Sequence, residues 1–478
     1  MTRRSRVAVV GGGVSGLATA YYLNHLDETA RPEVTLIEGS ERLGGKVLTR
    51  EVAGAVVDLG PDTLVVRTEQ MRRLIEELGL TAALSVPEVS GSYVWSRRKL
   101  RAMPPGLLFG LPERILPVVR SRILSPLGIA RASLDLVLPR RKLPSDASIG
   151  DLLRPRLGEE VFTQLVEPLL IGAYAGRAEE LSARSTVPEI NSLARQNRSL
   201  CIGMWRRQKQ RQKELTQLRS GHSAPAVATL RGGLSSMVDA LATASYPCEI
   251  RTGSPVKRFE QTERGYRLTL ARGEMLEVEE VVFATPAFVT ADLLEEVAPA
   301  AAAVLRCLPY SDVTSVTLAY SRNALTRALD ATGFLVPPAA NKLLEGCSWL
   351  SAKWPQPLGE PSVLLRCLVG GNGDRSWSLL DDAALVARIH DELVEMMGLT
   401  APPRISHVHR WPRALPQYTV GHRSRLEQVA DELRRLPGVH LTGAAYEGAG
   451  LASCIAQAER AATAVLAELA PPAVVELS

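Results

Sequence analysis

A glycine turn near the start of the chain, answered by a second glycine-rich unit some 400 residues later, constrains the fold more than any other feature. Val7-Ala8-Val9-Val10 reads as a buried parallel strand that runs into Gly11-Gly12-Gly13-Val14-Ser15-Gly16, followed by a helical stretch from Leu17 to Leu26. In that order Gly11 permits a tight turn, Gly13 lets the backbone approach a pyrophosphate, and Gly16 lets the helix pack on the strand. The helix N-terminus, at Val14 and Ser15, offers unpaired N–H groups to phosphate charge. A second strand, Glu33 to Ile37, ends at Glu38, where an acidic side chain about 20 residues beyond the glycines accepts hydrogen bonds from a ribose. Glycine-rich turns also cap ordinary helices, so the turn needs support from elsewhere in the chain.

That support comes in two places. After Glu38 and Gly39 the chain reads Arg42-Leu43-Gly44-Gly45-Lys46 and then Asp58-Leu59-Gly60-Pro61-Asp62-Thr63. Near the other end, Gly438 to Gly443 leads into Tyr446-Glu447-Gly448-Ala449-Gly450 and a helical run from Ala452 to Ala467. These segments resemble the FAD-binding pattern of the glutathione-reductase-like amine oxidase and desaturase superfamily. The resemblance implies a chain of mixed α/β and α+β class, with a glutathione-reductase-like FAD-binding domain, a mixed-sheet substrate domain and an α-helical membrane-associating domain.

A length of 478 residues with 46% hydrophobic and 22% charged side chains is that of a globular protein with a large core. A net charge of +5, without a basic stripe carrying stacking aromatics, argues against nucleic acid as a partner. Six scattered cysteines with no CxxC point to reduced thiols in the cytoplasm, not to a disulfide or a metal site. Arg3-Arg4-Ser5-Arg6 before an apolar run resembles a twin-arginine leader, but that run is broken by the glycines and continues to Glu38. No apolar stretch is long enough to span a bilayer.

Three regions follow from these patterns: residues 1–88, 226–300 and 415–478 as a discontinuous FAD-binding domain, 89–225 as a helical region, and 301–414 as a substrate domain. The helical region interleaves short apolar runs, such as Leu107-Leu108-Phe109 and Ile115-Leu116-Pro117-Val118-Val119, with Arg97, Arg98, Arg101, Arg114, Arg120, Arg140 and Arg141. Such a pattern suits the edge of an anionic membrane, and equally a helical insert whose apolar faces form a local core. Trp205 to Arg219 is very basic and reads as a solvated helix or loop. Strands are expected around Glu249–Phe259, Tyr266–Ala271, Val278–Phe283, Val313–Ala319 and Val363–Val369, and a helix over Asp382–Met396.

Several segments resemble a narrower family, the protoporphyrinogen oxidases, whose close relatives oxidise coproporphyrinogen III. They are Glu167-Pro168-Leu169 through Gly172-Ala173-Tyr174-Ala175-Gly176, Arg231-Gly232-Gly233, Trp411-Pro412-Arg413 through Pro416-Gln417-Tyr418, and Gly443 to Cys454. The resemblance implies oxidation of protoporphyrinogen IX, or alternatively coproporphyrinogen III, by noncovalent FAD with O2 as acceptor. It implies cofactor contacts at Gly11, Gly13, Val14, Ser15, Gly16, Glu38, Gly39, Arg42, Gly44, Gly45, Lys46, Gly60, Pro61, Asp62 and Thr63. Further contacts are expected at Val256, Ala284, Gly443, Gly448, Gly450 and Leu451. Substrate walls are expected at Ile171, Gly172, Ala173, Phe334 and Leu335. Ser92 stands where many members carry an arginine, so Arg97 is a candidate to meet a propionate. No catalytic side chain is assigned, since the flavin carries the chemistry, and the histidine of Gly421-His422 reads as structural. Peripheral membrane contact, a homodimer and hand-over of product to a ferrochelatase are compatible partners, and a flavin-bearing porphyrin carrier without turnover is the non-enzymatic alternative.

Overall fold

The computed structural model describes residues 4–25, 31–139, 142–217, 226–354, 362–371 and 376–469. Expectations that fall on Arg3, Leu26, Arg140, Arg141, Arg219 and residues 470–478 lie outside the described residues.

A five-stranded parallel sheet forms the first lobe, in the order Glu249–Arg251, Glu33–Ile37, Arg6–Val10, Glu280–Phe283, Val439–Leu441. Its strands are short runs of Val, Ile, Leu and Phe because both faces are covered. On one face pack the helices Val14–His25, Glu69–Glu77, Ser235–Ala244 and Leu451–Leu469. On the other lie the meander Val256–Thr262, Gly265–Leu270, Met275–Val278 and the helices Ala287–Leu294, Pro299–Arg306 and His422–Leu433. The single strand expected over Val278–Phe283 is two strands. Glu279 breaks it, its backbone N–H donating to Arg6 O while its carboxylate takes the Arg6 N–H at 2.6 Å.

The second lobe is a seven-stranded sheet in the order Ile405–Pro416, Tyr310–Ser321, Ser362–Val369, Gly346–Trp349, Gly333–Leu335, Tyr93–Ser96, Lys99–Ala102. It is antiparallel apart from the pairing of Gly333–Leu335 with Tyr93–Ser96, and the helix Asp382–Met397 closes one face. The region expected to be helical from residue 89 therefore opens with two strands that extend this sheet. Tyr-Val-Trp-Ser and Lys-Leu-Arg-Ala pair across a tight turn, and Val94 and Trp95 are buried by the pairing. Only beyond it do helices such as Pro126–Ser133, Ile149–Leu157, Glu167–Tyr174 and Pro188–Gln196 gather round a core of their own. Among the described residues no helix is long and apolar enough to cross a membrane.

Candidate functional site

The glycine turn sits at the C-terminal ends of the parallel strands. Gly11 takes φ +111° and donates its N–H to Ile37 O at 2.8 Å, while a Cβ on Gly16 would collide with the Gly11 carbonyl oxygen. Helix Val14–His25 thus seats directly on the turn with its first N–H groups free of intrahelical partners. The Gly44-Gly45 pair joins it, Gly44 N–H donating to Gly12 O at 2.8 Å. Glu38 is fixed where its strand ends: one carboxylate oxygen accepts from Gly12 N at 2.6 Å, the other from Ser40 N at 2.8 Å and the Ser40 hydroxyl at 2.7 Å. Gly39 abuts Pro255, which brings Val256 to the same end of the sheet.

The second glycine unit converges here. Ala284 N–H donates to Val10 O, and Gly443, at φ +129°, has a Cβ position 3.7 Å from Ser15 Oγ. The Tyr418 hydroxyl donates to Ala444 O at 2.5 Å and accepts from Gly448 N at 2.8 Å, fixing the loop that leads to Gly450 and Leu451. A Cβ on Gly450 would meet nothing within 4 Å. Lys46 is half-buried with its ammonium 5.9 Å from the Tyr310 ring centre. Burial pushes its pKa down, and among the described residues no carboxylate pairs with it. A partly desolvated cation without a carboxylate partner favours an electron-rich group against it. The open glycine cradle, the free helix N-terminus, the fixed Glu38 carboxylate and Lys46 are together the donor set that a flavin dinucleotide needs.

Three of the expected cofactor contacts have side chains engaged within the protein. Arg42 folds back on its own loop, donating to Leu43 O at 3.1 Å and Val47 O at 3.2 Å, and so braces the Gly44-Gly45 turn. Asp62 and Thr63 are held from the sheet side: Lys353 donates to Asp62 at 3.1 Å and to Thr63 at 2.9 Å, and Arg366 lies 3.2 Å from Asp62. Burial works to raise the Asp62 pKa, but Arg366 and Lys353 outweigh it and hold the carboxyl below its usual range. Arg366 also donates to Asp58 O at 2.7 Å and Gly60 O at 3.0 Å, and Trp411 donates to Leu59 O at 3.0 Å. Gly60 packs so tightly that a Cβ there would strike the Lys46 carbonyl, so the same strap sets the backbone of Lys46. Arg366 and Lys353 were missed from sequence. The readable signal was an arginine inside the otherwise apolar strand Val363-Leu364-Leu365-Arg366-Cys367-Leu368-Val369.

Among the expected substrate walls, Gly172 and Leu335 meet: a Cβ on Gly172 would lie 3.2 Å from Leu335 Cδ2. Gly172 and Ala173 are exposed and Ile171 is buried. Phe334 alternates to the other face and packs edge-on to Trp349 inside the core, so it is not a wall. Arg97 sits at the apex of the strand hairpin at φ +51°, paired with Glu160 at 2.9 Å. It lines a polar cavity of about 340 Å³ with Arg98, Gln164, Pro337 and Lys342, and not the Gly172–Leu335 contact. The two most specific sequence segments touch: Gln417 Nε2 donates to Tyr174 O at 2.8 Å, and its Oε1 occupies the space a Cβ on Gly176 would need. His422 stacks on Tyr418 with ring centres 4.3 Å apart, buried and pushed down to about 4 by that burial.

A parallel nucleotide lobe carrying a glycine cradle, roofed by a second sheet, is the architecture of a flavin-dependent oxidoreductase. The comparisons narrow it, for residues 14–466 match the model of the flavin containing amine oxidoreductases, and the chain belongs to that family, on the branch of its porphyrinogen oxidases. It is 33% identical over 98% of its length to coproporphyrinogen III oxidase of Bacillus subtilis, covering 99% of that protein. It is also 31% identical over 96% of its length to protoporphyrinogen oxidase of Bos taurus, covering 98% of that protein. A crystal structure of an Exiguobacterium protein designated a protoporphyrinogen oxidase superposes with a TM-score of 0.83 at 29% identity, covering 98% of this chain and 99% of that one. UDP-galactopyranose mutase, with a TM-score of 0.73 at 14% identity over 98% of this chain and 96% of that one, shares the fold alone.

Proposed function

We propose that this chain binds FAD noncovalently and oxidises coproporphyrinogen III to coproporphyrin III with O2 as acceptor. The observation that carries the reading is the full-length similarity to coproporphyrinogen III oxidases, 33% in Bacillus subtilis and 32% in Staphylococcus aureus. It displaces protoporphyrinogen IX, the first expectation from sequence, which the 31% identity to the bovine enzyme keeps as a second reading. When bound, FAD supplies two-electron acceptance at N5, so loss of six hydrogens from the macrocycle consumes three O2 and yields three H2O2.

The chain's own part is binding and orientation. The turn from Gly11 to Gly16 receives the pyrophosphate on free backbone N–H groups, and Glu38 keeps lone pairs for the adenosine ribose. Lys46 would supply positive charge beside the flavin from a half-buried position. The exposed backbone at Gly172, against Leu335, gives a flat apolar surface on which a macrocycle can lie. His422 stays neutral and supports Tyr418, whose hydroxyl holds the Gly443–Gly450 loop.

Peripheral attachment to an anionic membrane is part of the same reading. Leu116, Val119, Leu127, Leu136, Val137 and Trp205 are exposed in the helical region, beside exposed Arg114, Arg120, Arg122 and Arg206.

The test is the aerobic rise of porphyrin fluorescence when flavin-loaded protein receives coproporphyrinogen III or protoporphyrinogen IX in parallel. Faster formation of coproporphyrin is expected. Faster formation of protoporphyrin would move the chain to the second reading, and no rise above the uncatalysed rate with either would overturn both.

A further inference from the structure

A second cluster of ligating side chains lies at the end of the parallel sheet opposite the glycine turn. Glu280 opens its strand, His440 stands on the neighbouring strand, and Glu468 is in the last turn of helix Leu451–Leu469. His440 Nε2 is 2.8 Å from a Glu280 oxygen and 3.8 Å from a Glu468 oxygen, and the three ligand atoms lie within 4.8 Å of one another. The side chains of Glu280 and His440 are 8% and 11% exposed, and that of Glu468 is 44% exposed.

The surroundings pre-set these groups. Gly438 N–H donates to the second Glu468 oxygen at 2.9 Å, which turns the first toward His440. The nearby Tyr266 hydroxyl is spent on Pro437 O at 2.6 Å. Among the described residues neither carboxylate forms an ion pair with a lysine or arginine, so two acids share one imidazole. We propose that Glu280, His440 and Glu468 bind a divalent first-row transition ion, with Zn²⁺ the best match, as a structural site independent of the flavin.

Tetrahedral zinc with bonds near 2.0–2.2 Å keeps its ligand atoms about 3.4 Å apart, a value bracketed by the two distances to His440. An imidazole nitrogen with two carboxylate oxygens favours zinc over calcium or magnesium, which prefer all-oxygen shells. The open side of Glu468 leaves room for water as the fourth ligand. The ion would tie the end of the C-terminal helix to the floor of the sheet. The ligands belong to elements far apart in sequence, which is why no metal spacing is legible there.

The experiment uses the full-length, flavin-loaded protein after chelator treatment, titrated with Zn²⁺, Co²⁺ or Mg²⁺ while metal stoichiometry, thermal midpoint and the Co²⁺ visible spectrum are read. Expected are one Zn²⁺ per chain, a raised midpoint, intense four-coordinate Co²⁺ bands and unchanged flavin absorbance. His440→Gln should abolish the bands and the shift, and Glu468→Gln, at a partly exposed site that folding tolerates, should weaken zinc at least tenfold. No saturable binding, an equal response to Mg²⁺, or wild-type binding in Glu468→Gln would overturn the proposal.

Discussion

The Glu38 carboxylate is held by three donors at its strand end, and that fixes what its loss should do. Glu38→Ala leaves Gly12 N–H and Ser40 without their acceptor and removes the ribose ligand, so flavin should dialyse out at least tenfold faster than from the wild type; retained absorbance near 450 nm would count against the ribose role (~1.4 kcal/mol per tenfold). His422 makes a pH-dependent contribution. Burial sets its folded pKa near 4, against about 6.5 in an unfolded chain. Between those values the unfolded chain binds a proton that the folded chain refuses, so stability falls as pH drops through the window, by about 3 kcal/mol once pH 4 is reached. Asp58, raised to about 6 by burial, works in the opposite sense, because its folded form keeps a proton there. The histidine effect is therefore read by difference: the loss of thermal midpoint from pH 7 to pH 5 should be smaller in His422→Gln than in the wild type. At this scale the glycines and Glu38 were legible because backbone geometry alone demands them. Arg42 and Phe334 were not, since a side chain's direction depends on how its loop closes or which face its strand register assigns.

Between elements, the strap from Arg366 and Lys353 to the Asp58–Thr63 loop joins the two lobes. Arg366→Met removes the main partner of a buried carboxylate, a change expected to cost about 3–5 kcal/mol and to loosen the flavin. Adding Asp62→Asn should cost less than it does alone, by about 1 kcal/mol, because its ion pair with Arg366 is already gone and only the one with Lys353 is left to lose. Chemical denaturation of the four proteins of this cycle measures the coupling, and strictly additive losses would mean that the ion pair is not the strap. The helix expected over Asp382–Met396 forms as Asp382–Met397, with the Asp381 side chain capping its start. The hairpin of Tyr93–Ser96 and Lys99–Ala102 was hidden inside a segment rich in apolar runs and arginines, because its burial depends on strands 240 residues later.

For the molecule as a whole, the proposed membrane attachment through exposed apolar side chains of the helical region predicts binding to vesicles containing anionic lipid and much weaker binding to neutral ones. Leu127, 82% exposed, is the point to test: Leu127→Glu should lower the vesicle-bound fraction in co-flotation and leave flavin content unchanged, and equal flotation of both proteins would argue for a solvated helical insert. The nucleotide cradle was visible in sequence from glycine spacing, and the substrate sheet beside it was expected from a family resemblance. The arrangement that brings Arg366 and Lys353 to the loop was not, because nothing local marks which strands of a sheet become neighbours. Gly11 and Gly443 both stand beside Ala284, so the pocket is walled by two glycine units that are far apart in sequence and meet only in the folded sheet. A chain cut before Gly443 would carry the complete turn yet lack the second wall, so neither glycine unit alone makes the pocket.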